Sequence, residues 1–149
     1  MILLISCFFI FWLVQAQRTM KFREADDKAK KEFDSLGIPL TTRTIHIQDF
    51  NLHFVQVGDD TMPTLFFVHG SPGSWNAFKK YLQNKDLLRR YRMISVDRPG
   101  FGYSEFNNAK NLDDQSAIIG HLLRSVQNGK AIFLIGHSLG GALIVKLHI

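Results

Sequence analysis

The chain has 149 residues, enough for one domain with a core of its own. With 46% hydrophobic and 21% charged residues, eleven Gly and four Pro, its composition excludes a disordered chain and a multi-span membrane protein. The net charge of +5 and pI near 9.5 bring anionic partners into view, but the cations are scattered as Lys28, Lys30 and Lys31, then Lys79 and Lys80, then Arg89 and Arg90. Each group alternates with acids or sits on a helix face, which reads as solvated surface, so no nucleic-acid partner is expected.

The first seventeen residues carry no charge, and Ile2 to Val14 is an apolar run of thirteen broken only by Ser6 and Cys7. As a helix it would reach about 20 Å, short of the roughly 30 Å hydrocarbon core of a bilayer. That length suits a signal peptide over residues 1–16, cut after Val14-Gln15-Ala16, with an uncleaved membrane anchor as the rival. The segment Leu4-Ile5-Ser6-Cys7 has the form of a lipoprotein box, but only three residues precede it, too few for that signal. Export, or membrane association through the N-terminus, is expected. Cys7 is the single cysteine and would leave with the signal, so neither a disulfide nor a thiolate nucleophile is expected. The six histidines, 46, 53, 69, 121, 137 and 148, show no zinc-ligand spacing, and no metal or cofactor is implied. His46 and His53 fall at strand positions and read as ordinary surface or packed histidines.

Residues 17–41 read as an amphipathic helix and linker. Phe22, Ala25, Ala29, Phe33 and Leu36 recur at three- and four-residue steps, with Glu24/Lys28 and Asp27/Lys31 spaced for ion pairs, and Gly37 and Pro39 end the helix. From residue 42 to 149 the pattern is that of one α/β domain. "TRTIHIQ" alternates, turns at "DFN" and returns as "LHFVQV", a β-hairpin. Then "TLFFVHG", "RMISVDRPG" and "AIFLIGHS" are unbroken apolar runs, expected as parallel strands buried on both faces. One helical stretch, roughly Trp75 to Arg90 and broken near "QNKD", separates the first two. A second starts at Asn111, a good cap followed by Asp113 and Asp114. It buries Leu112, Ile118, Ile119, Leu122, Leu123 and Val126, and it closes at Asn128-Gly129. A hairpin followed by strand–helix alternation makes an open α/β sheet.

In such sheets ligands sit beyond the carboxyl ends of the strands. Three unusual segments lie there: "HGSPGS" (His69 to Ser74), "DRPGFGYS" (Asp97 to Ser104) and "GHSLGG" (Gly136 to Gly141). The Gly-x-Ser-x-Gly pentapeptide gains specificity from its setting between an apolar strand and a helix. A serine on a tight strand-to-helix turn needs small residues two before and two after it, and Gly136 and Gly140 fill those places. "HGSPGS" lacks the Gly-Lys-Ser/Thr of a phosphate loop and "PGFGYS" the third Gly of a dinucleotide fingerprint, so neither nucleotide site is expected.

In this order and spacing, the three segments resemble the α/β-hydrolase superfamily, with the likeness running from about Thr42 to Ile149, the first half of that fold. The resemblance implies that Ser138 is a nucleophile and that the backbone N–H groups of Leu139 and Ser71 form an oxyanion hole. It implies that Gly70, Pro72 and Gly73 shape the loop, that His69 holds it by hydrogen bonds, and that Asp97 is structural. Members that open epoxides or remove halides carry Asp at the elbow. Serine there favours acyl transfer to water, with a small ester, amide or related acyl compound as substrate.

In that family the acid and histidine of the triad follow the serine along the chain. Eleven residues follow Ser138 here. His148, ten residues on, would lie roughly 15 Å along the same helix, whereas a base must come within about 3 Å of the hydroxyl. His137 flanks the serine with its side chain set by the turn. The expectation is therefore the N-terminal part of a serine hydrolase, inactive alone, with the apolar strand "AIFLI" as a bare sheet edge. The alternative is a non-catalytic binding or partner protein built on the same fold, its edge covered by another chain.

Overall fold

The computed structural model describes residues 8, 11, 12, 23–47, 49–105 and 111–147. Cys7, the cut after Ala16, Phe22 and His148 lie outside them. Among the described residues, no helix is long and apolar enough to cross a membrane.

Helix α1 (Asp26–Ser35) is followed by strands β1 (Thr41–Ile47), β2 (Phe50–Val57) and β3 (Thr64–Val68). A 3-10 turn (Trp75–Phe78) and two single-turn helices, α2 (Lys79–Leu82) and α3 (Lys85–Leu88), lead to β4 (Arg92–Val96). Helix α4 (Leu112–Ser125), β5 (Ile132–Gly136) and α5 (Leu139–Val145) complete the order. The strands form one sheet, β1-β2-β4-β3-β5, in which β1/β2 and β2/β4 are antiparallel and β4/β3 and β3/β5 are parallel. The hairpin and the α/β alternation are those expected. The break in the helical stretch after β3 falls at Gln83-Asn84, where the Asn84 side chain accepts from the N–H groups of Asp86 and Leu87 and so starts a new turn.

Period-two alternation divides each inner strand between two cores. Phe66, Val68, Ile94 and Val96 face α4 and α5, meeting Ile118, Ile119, Leu122, Leu123 and Leu143. Phe67 and Met93 face the other way, onto Ala29 and Phe33 of α1 and onto Trp75, Phe78 and Leu82. Apolar cover on both faces is what makes β3 and β4 continuous apolar runs. In α4, the Asn111 side chain accepts the Asp114 N–H at 2.9 Å, and Ile118, Ile119, Leu122 and Leu123 are buried.

Two expectations are corrected. First, β5 is not buried on both faces: Phe133 is 49% exposed, although the strand does lie, among the described residues, at the sheet edge expected for it, paired to β3. Secondly, the apolar stripe of α1 is narrower than its periodicity suggested. Ala29 and Phe33 are buried, but Ala25 is an exposed cap and Leu36 is 42% exposed; Ile38 and Leu40, after the turn at Gly37, complete the contact instead. Glu24 likewise turns away from its own helix. It meets Lys79 at 2.8 Å, and Glu32 meets the same ammonium at 2.5 Å, because α1 lies against the segment carrying Lys79.

Candidate active site

Register brings the three unusual loops together. Val68 pairs with Val96 on one side and with Gly136 on the other, so His69, Asp97 and His137 leave the sheet at one level. Residues far apart in sequence thus meet beyond the carboxyl ends of three adjacent parallel strands.

Between β5 and α5 the backbone turns sharply at Ser138, with φ +52° and ψ −122°. Among the described residues it is the only non-glycine with positive φ, a conformation that costs an L-residue about 1–2 kcal/mol. The turn is tight enough to dictate its neighbours. A Cβ on Gly136 would sit 2.6 Å from the carbonyl of Gly140 and from the Cα of Gly141. One on Gly140 would sit 2.6 Å from the carbonyl oxygen of His69 and collide with that of Val68. Ser138 is exposed and its side chain makes no capping bond to α5. The N–H groups of Gly140 and Gly141 donate to His137 and Ser138 carbonyls at 2.9 and 2.8 Å. Neither the N–H of Leu139, which opens the helix, nor that of Ser71 is engaged among the described residues.

The loop after β3 lies directly against this turn. A Cβ on Gly70 would be 3.0 Å from both the Ser138 Cβ and the His137 Nδ1. His69 is fully buried, and both ring nitrogens are engaged. The Arg98 N–H donates to its Nε2 at 3.0 Å, so the proton sits on Nδ1, which donates to the Gly70 carbonyl at 2.7 Å. Burial away from water lowers its pKa to about 4, keeping the ring neutral at physiological pH. Gly73 lies close beside it: a Cβ there would be 3.0 Å from that same Nδ1. Ser71 and Pro72 are exposed and joined by a cis peptide bond.

A family model described as the alpha/beta hydrolase fold matches residues 63–147, which hold the turn and both glycine-rich loops. The chain belongs to this family. Epoxide hydrolase 1 of Caenorhabditis elegans is 26% identical over 125 residues, covering 82% of this chain. Epoxide hydrolase 4 of Mus musculus is 30% identical over 142 residues, covering 90% of it. The chain spans 30% and 38% of those two proteins. Among solved structures, Cfl2 of Burkholderia cenocepacia superposes with a TM-score of 0.65 at 25% identity, covering 72% of this chain and 36% of that one.

Within this α/β-hydrolase fold, Asp97 is a scaffold. It is fully buried and accepts from the Trp75 N–H at 2.7 Å, the Tyr103 N–H at 3.0 Å and the His53 Nδ1 at 2.8 Å. A Cβ on Gly102 would overlap its carboxylate, and the Ser104 hydroxyl donates to its backbone carbonyl at 2.6 Å. The carboxylate thereby ties β2, the 3-10 turn and the Asp97–Ser104 loop together. His53 is packed and paired, with its other nitrogen 3.5 Å from Asp26 of α1. The Arg98 guanidinium is buried against Gly70, a placement that the sequence hardly signals. The only local signal was its place beside Asp97 in an otherwise apolar and glycine-rich turn.

Proposed function

We propose that the protein is a serine hydrolase of the α/β-hydrolase fold, with Ser138 as nucleophile and the N–H groups of Ser71 and Leu139 as oxyanion donors. The observation that carries the reading is the exposed Ser138 at φ +52° on a strand-to-helix turn, with the Gly70–Ser71 loop packed on it. Its hydroxyl oxygen would attack an acyl carbon while a base takes the proton. The carbonyl oxygen would gather negative charge between the two amides, the alcohol or amine would depart, and water would then release the acid. Small esters, thioesters or amides fit such a step.

Among the described residues no histidine is poised as the base. His69 has both nitrogens engaged, His53 is held by Asp97, and His46 faces Asn51. His121 sits on the exposed side of α4, and His137 packs beside Gly70 without a bond to the Ser138 hydroxyl. We therefore infer that the acid and histidine of the triad come from elsewhere in the full-length protein, and that the 149-residue polypeptide by itself turns over little or no substrate. In serine hydrolases such as subtilisin, loss of the histidine costs on the order of 10⁶ in kcat. The uncharged N-terminal segment supports export or membrane attachment.

The test is labelling by a fluorophosphonate, read by mass spectrometry of the peptide carrying residue 138. Label on Ser138 of the full-length protein, lost in Ser138→Ala and slow in the 149-residue polypeptide, supports the reading; rapid labelling of the short polypeptide would refute the claim of a missing base. The names of the relatives favour a second reading, ring opening of an epoxide. Turnover of an aryl epoxide with no turnover of p-nitrophenyl acetate would decide for it.

A further inference from the structure

Arg98 is among the largest fully buried side chains, and its described partners are all neutral. One terminal nitrogen donates to the Gly70 carbonyl at 3.0 Å and the other to Gln115 Oε1 at 3.1 Å. The guanidinium carbon stands 4.6 Å from the centre of the Phe101 ring, and among the described residues Nε has no hydrogen-bond partner. Burial lowers its pKa from the ordinary value. Removing a guanidinium from water without a carboxylate beside it is costly, several kcal/mol in general. A hydrophobic residue would fill the same space without that cost, so the charge needs a reason.

Its main contact supplies one. The Gly70 carbonyl accepts two hydrogen bonds, from Arg98 and from His69 Nδ1. That carbonyl and the Ser71 N–H belong to one planar peptide, which is trans, so the two groups point in opposite directions. Arg98 and His69 hold the carbonyl end, and the Gly70 Cα on the same unit faces Ser138. Two donors on the oxygen, one of them charged, draw electron density through the peptide and make its N–H a stronger donor.

We propose that Arg98 is a positioning residue that, through the Gly70 carbonyl, orients and polarises the Gly70–Ser71 peptide so that the Ser71 N–H receives the oxyanion formed at Ser138. The inference rests on the serine-hydrolase reading above. The guanidinium need not touch substrate: its charge lies one peptide away from the developing anion, in a buried setting where electrostatic effects are large.

Two measurements test it on the full-length protein and its Arg98→Met and Arg98→Lys variants. Nuclear magnetic resonance follows the Gly70 carbonyl carbon and the Ser71 amide nitrogen, whose shifts report hydrogen bonding at that carbonyl. Fluorophosphonate labelling gives the rate constant at Ser138. Removing a whole oxyanion donor costs about 10²–10³ in rate, so loss of its support in Arg98→Met is expected to slow labelling by at least about tenfold. Both resonances should shift upfield, and Arg98→Lys, which keeps the charge, should fall between; if the Met variant does not fold, the Lys variant alone must show both changes. Unchanged labelling in a folded Met variant, or unmoved Gly70 and Ser71 signals, overturns the role of Arg98 and leaves the Ser138 reading standing. Failure of the wild-type protein to label at Ser138, with the two signals still responding to Arg98, instead overturns the serine reading, and the catalytic purpose of Arg98 falls with it.

Discussion

Gly136, Gly140 and Gly141 stand within six residues of one another, and their tolerance to a methyl group should differ sharply. At Gly140 a Cβ meets the backbone of Val68 and His69, which cannot yield without moving β3. Gly140→Ala is expected to cost about 3 kcal/mol or more, read as a lowered urea midpoint. At Gly141 the nearest backbone atom is 3.7 Å away, an ordinary contact. Gly141→Ala should be neutral or stabilise α5 by roughly 0.5–1 kcal/mol. His69 makes a prediction of a different kind. Its pKa is about 4 when folded and 6.5 as a free side chain, so between those values the unfolded chain binds the extra proton. Stability from this residue is complete above about pH 6.5 and is lost as pH falls toward about 4, on the order of 3 kcal/mol in all. Urea titrations across that range should show the slope, and His69→Asn should flatten it.

Among the elements, β5 departs most from its sequence pattern. A continuous apolar run commonly means a strand covered on both faces, yet here Phe133 is 49% exposed, its ring meeting that of Tyr91 edge to face at 6.1 Å, and among the described residues one edge of the strand is unpaired. An exposed apolar edge is a template for pairing with another chain. Phe133→Lys is expected to reduce concentration-dependent association in analytical ultracentrifugation, at a cost of about 1 kcal/mol from the lost aromatic contact. For α1, periodicity gave its existence and placed Ala29 and Phe33 inward correctly. It could not show that Glu24 and Glu32 would converge on Lys79, because that depends on what α1 packs against rather than on its own repeat.

At the scale of the whole molecule, the sheet carries a separate apolar core on each face, and α1 belongs to one of them. Phe33 is fully buried and packs on Trp75 with ring centres 6.4 Å apart. The backbone N–H of Trp75 is held by Asp97. Loss of the Phe33 ring should therefore be felt by the sheet. Phe33→Ala is expected to cost about 3–5 kcal/mol, with a single unfolding transition by both far-ultraviolet circular dichroism and tryptophan fluorescence. Two separate transitions would show that α1 is an appendage.

From residue order alone came the α/β alternation, the hairpin, the Asn111 cap and the serine turn with its two obligatory glycines. These depend on local geometry: a strand period, a helix period, and a bend whose steric demands fall within two residues on either side. Only the tertiary structure decided that Arg98 holds the Gly70 carbonyl and that His53 stands between Asp97 and Asp26. Those relations join positions far apart in the chain, and they exist because β4 pairs with both β2 and β3 in one particular register. A chain's own periodicities do not carry that register, since it is set by which faces bury together once the strands have met.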